Sequence, residues 1–269
     1  MASSSRWGSG SFVVPTRSIL GFVNGSITLC AVDIESDSAI MGVTSPIIES
    51  GMSAESGIRT FRDSGGLWEE HRVEDVASPM GWALNRKLVL KFYNDRRRQL
   101  AGSEPNTGHI GLAALEKYFD VHIITQNIDN LHERAGSTRV IHLHGELTKA
   151  RSTKDSSLIY DIGYNDIREG DKCDLGSQLR PHIVWFGEAV PMIEEAVKIT
   201  SEADIFAVIG TSLNVYPAAG LIEYVPEGTP LSLIDPNDVP LPGNRTVNVI
   251  KESAGRGVEI FAGRLMDLK

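Results

Sequence analysis

The chain has 269 residues, of which 41% are hydrophobic and 23% charged, and its 26 Lys and Arg against 35 Asp and Glu give a net charge of −9. That composition suits a folded chain with room for a sizeable apolar core and excludes disordered polyelectrolytes and disulfide-stapled mini-proteins. The acidic balance speaks against nucleic acid as the main partner, because phosphate neutralisation needs a basic surface and Arg96-Arg97-Arg98 is the one dense basic cluster.

In chain order, residues 1–32 come first, with Arg6 and Arg17, no acid, and serines at 3, 4, 5, 9, 11, 18 and 26. This is the bias of an import peptide, so organelle import stands as the minor alternative to a cytoplasmic default. Residues 1–49 are read as a divergent leader and 50–269 as the functional domain. Gly51-Met-Ser-Ala-Glu-Ser-Gly-Ile58 places glycines and serines where a loop turns into a helix. Such a segment either presents backbone N–H groups to phosphate or is a plain turn. From Gly81 to Leu100 the pattern is helical, with Tyr93 and Arg96 neighbours on one face. Arg97 and Arg98 are assigned to the solvated side.

From Asp120 onward, short β-branched runs alternate with helix-period segments, as in a parallel sheet covered by helices. Val121–Ile124 runs into Thr125-Gln126-Asn127, Ile205–Ile209 into Gly210-Thr211-Ser212, and Leu231–Ile234 into Asp235. Polar carboxyl ends of parallel strands line one ligand crevice. In Val140-Ile-His142-Leu-His144-Gly145-Glu146 the alternation puts both histidines on one face, which suits a general base or, alternatively, a metal pair. The polar stretch Thr148–Arg180, with Gly163, Gly170 and Gly176, reads as a small inserted lobe. A last run, Val247–Ile250, precedes a helix from about Arg256 to Leu268. No apolar run approaches the roughly 18 residues of a membrane-crossing helix. The expected fold class is α/β, a Rossmann-like parallel sheet covered by helices, with a smaller inserted lobe.

Gly51–Arg62, Thr125-Gln-Asn-Ile-Asp-Asn-Leu-His132, His142-Leu-His-Gly-Glu146, Val184-Trp-Phe-Gly-Glu188 and Gly210-Thr-Ser-Leu-Asn-Val-Tyr-Pro217 follow one another in the order and spacing of the sirtuins. Over about Ser50 to Leu268 the chain resembles these NAD-dependent protein lysine deacylases, and within them the bacterial class III group. The resemblance implies NAD as cofactor and acyl-lysine proteins or peptides as partners, with neither nucleic acid nor membrane. It implies products of nicotinamide, O-acyl-ADP-ribose and free lysine. It places His144 as general base, and Asn127 and Asp129 at the ribose and nicotinamide end. It assigns cofactor contacts to Gly51, Ala54, Arg62, Trp68, Gln126, Ile128, Gly210, Thr211, Ser212, Asp235 and Ala254. The peptide is expected to enter as an added strand between Val184, Phe186 and Gly187 on one side and Asn214–Tyr216 on the other. Tyr93 and Arg96 match the class III Tyr-x-x-Arg pair, and a guanidinium fork beside a phenol suits the distal carboxylate of succinyl or malonyl groups.

Two features depart from the family pattern. The family's small lobe usually holds zinc through four cysteines, whereas Thr148–Arg180 contains Cys173 alone and the whole chain only Cys30 besides, so no structural zinc is expected. The family's Gly-Ala-Gly is here Glu49-Ser50-Gly51, after a run containing Pro46, a poor central-strand residue. Glu49 is expected to set a negative charge where the NAD pyrophosphate approaches, and like charges about 4 Å apart repel by roughly 4 kcal/mol at an effective dielectric near 20. On that expectation the rival functions are a catalytically impaired acyl-lysine binder or an ADP-ribosyltransferase or NAD hydrolase.

Overall fold

The computed structural model describes residues 21–23, 26–28, 43–58, 67–68, 71–211, 216–239 and 245–267. The chain divides between Ser36 and Asp37. In the N-terminal unit, β1 (Gly21–Val23) pairs antiparallel with β2 (Ser26–Thr28).

The second unit begins its described structure with β3 (Thr44–Glu49), followed by a 3₁₀ turn at Met52–Ser56 and the short antiparallel pair β4 (Leu67–Trp68) and β5 (His71–Arg72). Helices α1 (Val73–Val76), α2 (Pro79–Leu84), α3 (Arg86–Ala101) and α4 (Thr107–Leu115) lead to β6 (Asp120–Thr125). After α5 (Leu131–Ala135) come β7 (Val140–His142), β8 (Gly145–Ser152), β9 (Ile159–Asp161) and β10 (Leu179–Ile183). The chain then runs through α6 (Ile193–Ser201), β11 (Phe206–Ile209), a 3₁₀ segment at Ala218–Tyr224, β12 (Leu231–Ile234), β13 (Val247–Ile250) and α7 (Ala254–Met266).

Six strands form one parallel sheet in the order β13-β12-β11-β3-β6-β7. The strand order reverses between β3 and β11, so the ligand crevice of this doubly wound sheet opens at their carboxyl ends. Residues 44–49, read from the sequence as the end of a leader, are thus a central strand of the sheet. Pro46 is accommodated by register. The carbonyls of Val43 and Glu49 face β6, while Thr44 and Ser50 bond on the β11 side. By alternation position 46 faces β11, whose ladder begins one residue later, at Ile47 opposite Ala207. The missing donor therefore falls at the entry of the ladder.

The central strands β3, β11 and β12 are buried almost throughout, as parallel strands covered on both faces are. Ile48, Ile124, Phe206, Val208 and Leu233 pack against α6 and the Ala218–Tyr224 segment. A second core joins Val89, Leu90, Phe92, Tyr93 and Leu100 of α3 to Leu147, Ile167, Ile183 and Trp185. The helical stretch read from the sequence is broken at Asn85, whose side chain accepts from Leu88 N and caps α3.

The small lobe is a three-stranded antiparallel sheet in the order β10-β8-β9. Polar groups tie it to α3. Contrary to the sequence expectation, Arg97 is fully buried, donating from Nε to Leu147 O (2.6 Å) and from Nη1 to Asn94 Oδ1 (2.6 Å) and Asn165 O (3.2 Å). Burial pulls its guanidinium down to about 10, which leaves it charged at neutral pH. Asn94 completes the tie by donating to Ile167 O (2.9 Å) and accepting from Ile167 N (3.0 Å). Arg98, by contrast, is exposed and pairs with Asp95 and Asp166. Arg97→Ala is expected to destabilise the protein by about 2–4 kcal/mol, since it strands buried acceptors and opens a cavity. Arg98→Ala should leave the melting temperature nearly unchanged, and thermal melts of the two variants check the contrast.

Candidate functional site

The crevice is built where the chain leaves β3, β6, β11 and β12. Hydrogen bonds of ladder type continue past the strand ends, with Gln126 N donating to Glu49 O (3.0 Å), Ser50 N to Ile209 O (3.3 Å) and Gly210 N to Ile234 O (2.8 Å). At the switch point the turns after β3 and β11 touch through glycine backbone. A Cβ on Gly51 would lie 2.6 Å from Gly210 O, and Gly210 itself has φ +58°. No side chain fits between these turns, so both positions require glycine for the turns to pack together.

Glu49 does not project an unscreened charge, which corrects the expectation drawn from the sequence. It is 0% exposed. Its carboxylate accepts from the Thr125 hydroxyl, from Asn127 Nδ2 (3.2 and 3.1 Å) and from His132 Nε2 (3.2 Å). Burial pushes its pKa up, but the His132 hydrogen bond and charge, together with the Thr125 hydroxyl, outweigh burial and leave it below the usual carboxylate value. The buried ring of His109 packs 4.7 Å from that of His132, and its pKa falls to about 4 through burial and the neighbouring His132 charge.

The loop after β6 holds several of the predicted residues together. Gln126 Nε2 reaches Thr211 Oγ1 (3.4 Å), linking the β6 and β11 ends. Ile128 is half-buried, and its carbonyl accepts from Leu147 N (2.7 Å). Asp129 is buried and accepts from Leu131 N (3.1 Å) at the start of α5. Burial raises its pKa, with the Ser53 hydrogen bond opposing and the Glu49 charge adding.

The two histidines at 142 and 144 sit in different states. His142 Nδ1 meets Asn127 O (3.3 Å) and Nε2 meets Glu133 Oε1 (2.8 Å). Both partners only accept, so both ring nitrogens carry protons. Burial lowers the His142 pKa, but the Glu133 hydrogen bond and charge raise it further, for a net increase. With both nitrogens engaged as donors, His142 has no lone pair to offer a metal ion beside His144 in this arrangement. His144 Nδ1 meets Gln126 O (3.1 Å), an acceptor, so the proton of the neutral ring sits on Nδ1 and Nε2 keeps its lone pair. Burial lowers the His144 pKa, the Gln126 bond opposing, which favours the neutral form.

Other predicted residues lie around this centre. Asp235, at the end of β12, is 1% exposed and accepts from Asn237 N (2.9 Å) and Nδ2 (3.2 Å). Ala254 opens α7, where Gly255 N donates to both carboxylate oxygens of Glu55 (3.2 Å). Ala54 N bonds back to Gly51 O (3.2 Å). Arg62 and Ser212 lie outside the described residues, and of Trp68 only the strand pairing with His71 is described.

On the substrate side, Val184 N donates to His144 O (2.9 Å), which joins the predicted peptide-binding segment to the predicted base. Phe186 is exposed and Gly187 has φ +90°. Between them and Val184, Trp185 is buried and donates from Nε1 to the Tyr93 hydroxyl (3.0 Å). Arg96 is 5% exposed, its Cζ 5.2 Å from the Phe92 ring centroid. Burial raises the Tyr93 pKa well above the ordinary phenol value, so its hydroxyl stays protonated.

Sequence reasoning assigned no role to several residues that build this site. His132 and Ser53 lie inside the recognised motifs, and Thr125 was read only as a crevice-lining strand end, but their contacts with Glu49 and Asn127 join segments far apart in sequence. Glu188 holds the Val184–Gly187 turn, accepting from Trp185 N (2.8 Å), Arg151 (3.0 Å) and Arg180 (2.7 and 3.1 Å). The one signal available in advance was Glu49 itself, a charge at the end of an apolar strand that has to find partners.

Residues 49–217 match the family model described as the Sir2 family. An NAD-dependent protein deacylase of Bacteroides thetaiotaomicron is 55% identical over 218 residues, covering 78% of this chain and 92% of that protein. A Sir2 homologue crystallised as an NAD complex superposes with a TM-score of 0.75 at 36% identity, over 86% of this chain and 93% of the other. A Sir2 protein bound to acetylated peptide superposes with a TM-score of 0.67 at 28% identity, over 83% of this chain and 92% of the other.

The His142 and Glu133 pair predicts a pH dependence of stability. The folded pKa of His142 is raised, so its contribution is fully present below the unfolded imidazole value of about 6.5 and is lost as pH rises through the folded value. Glu133→Gln should therefore lower the melting temperature clearly below that value and very little in alkaline buffer. Equal losses in both buffers would refute the pairing.

Proposed function

The chain belongs to the Sir2 family, and from that membership together with the crevice we propose that it is an NAD-dependent protein lysine deacylase that removes succinyl and malonyl groups, and acetyl groups less readily. The cofactor is NAD, and the donor set fits it. Gly51 and Gly210 let the turns after β3 and β11 meet backbone to backbone at the switch point, where the pyrophosphate of a dinucleotide is expected to lie. The carboxylate of Asp235, at a neighbouring strand end, suits ribose hydroxyls, and Gln126, Asn127 and Asp129 follow β6 at the nicotinamide end. When bound, NAD supplies an electrophilic ribosyl carbon with nicotinamide as the leaving group.

The observation that carries the reading is the tautomer of His144. With Nδ1 donating to Gln126 O, Nε2 is the basic atom. Its role is to take the proton of a ribose hydroxyl, and the lowered pKa keeps it unprotonated at neutral pH. The lysine side chain enters beside Val184, Phe186 and Gly187, the backbone of which suits a sequence-tolerant added strand. The acyl end extends toward α3. There Tyr93 is tied to Trp185 of the same segment, and the guanidinium of Arg96, one turn on, suits a terminal carboxylate by charge and fork geometry.

Nicotinamide release with an acyl-lysine peptide tests both parts. His144→Ala should lose turnover by about a hundredfold or more while peptide binding survives, as removal of a general base does. In the wild type, turnover should fall with acid only as pH drops through the lowered His144 pKa, below the ordinary imidazole range. Arg96→Met should reduce desuccinylation about tenfold or more relative to deacetylation. Equal losses on the two peptides would remove Arg96 from acyl recognition.

A further inference from the structure

Glu49 stands where the sirtuin pattern has glycine, yet the site has been rebuilt around it. Its carboxylate takes three side-chain donors, Thr125 Oγ1, Asn127 Nδ2 and His132 Nε2. Only an ionised carboxylate can do this. A glutamine of the same shape offers a single acceptor oxygen and brings two N–H groups of its own.

The consequence falls on Asn127. Its Nδ2 carries two hydrogens, and the two acceptors in reach are Glu49 (3.1 Å) and Ser53 Oγ (3.0 Å). Its backbone N donates to Thr125 Oγ1 (2.9 Å), and its backbone carbonyl meets His142 Nδ1 (3.3 Å). Among the described residues, Asn127 Oδ1 is the one polar atom of this residue with no hydrogen-bond partner. The amide is therefore fixed in one of its two flip states.

We propose that Glu49 is a positioning residue that clamps the Asn127 amide so that it offers the cofactor only an acceptor, Oδ1, for a ribose hydroxyl or the nicotinamide carboxamide N–H. This rests on the NAD reading above, and it reverses the sequence expectation, because the glutamate supports cofactor binding instead of opposing it. Thr125 has a matching part. Its hydroxyl donates to Glu49 and accepts from Asn127 N, so the same carboxylate sets both the backbone and the side chain of residue 127.

The experiment uses the full chain, labelled with ¹⁵N asparagine, together with Glu49→Gln, Glu49→Gly and Ser53→Ala. Without cofactor, the Asn127 side-chain amide of the wild type should exchange slowly with solvent, and exchange should speed up at least tenfold in each variant. Calorimetry with NAD alone should then show affinity weakened about tenfold or more in both Glu49 variants and about threefold in Ser53→Ala, as loss of a hydrogen bond to a charged and to a neutral acceptor predicts. Affinity for the acyl-lysine peptide should stay within about twofold, which separates clamping from general loss of structure. Ser53→Ala leaves the buried carboxylate and its three donors in place, so it remains informative where a Glu49 variant fails to fold. Tighter NAD binding by Glu49→Gly would overturn the proposal and make Glu49 an obstruction. Fast exchange of the Asn127 amide in the wild type would overturn it independently of any cofactor. Slow exchange in a wild type that does not bind NAD would leave the clamp standing and refute the cofactor reading.

Discussion

A carboxylate with no exposed surface closes the strand at which the sheet reverses its order, and the arrangement of the crevice depends on how that charge is satisfied. Unpaired, a buried carboxylate is worth several kcal/mol of destabilisation or a large upward pKa shift. Glu49 avoids both by recruiting donors from β6, from the loop that follows it and from α5. Those donors belong to the elements that carry Gln126, Asn127 and Asp129. Satisfying Glu49 and ordering the chain that leaves β6 are thus one structural event.

The rest of the site is assembled by the same kind of relay. Gln126 reads β3 through its backbone N–H, reaches toward β11 through its side chain, and fixes the His144 tautomer through its carbonyl. His144 in turn receives Val184 N at its own carbonyl, and Val184 precedes the tryptophan that bonds Tyr93. A continuous set of hydrogen bonds therefore runs from the sheet switch point to α3. The small lobe, lacking thiolates in number, is held by the buried Arg97 and Asn94 on one side and by Arg180 and Glu188 on the other.

Much of the fold was legible in the chain because its signals are local. Ile205–Ile209 and Leu231–Ile234 are short apolar runs that end in polar residues, and both became strands of the parallel sheet with Gly210 and Asp235 at their ends. What escaped depends on contacts distant in sequence. Arg97 looks like its neighbours Arg96 and Arg98, and the contacts with Leu147 and Asn165 that bury it are far away in sequence. Pro46 looked wrong for a central strand, and the reason it is tolerated is the register of β11. Glu49 and His132 are 83 residues apart, and nothing local to either announces the pair. The alternation around His142 and His144 placed them on one face but gave no hint that their partners would hold one charged and leave the other neutral.

The most direct test of the account is the stoichiometry of the reaction. Purified protein with NAD and a succinyl-lysine peptide should yield nicotinamide, free-lysine peptide and O-succinyl-ADP-ribose in equal amounts, quantified together by mass spectrometry. Nicotinamide and ADP-ribose without loss of the acyl group would contradict it, and so would a folded protein that leaves both substrates untouched.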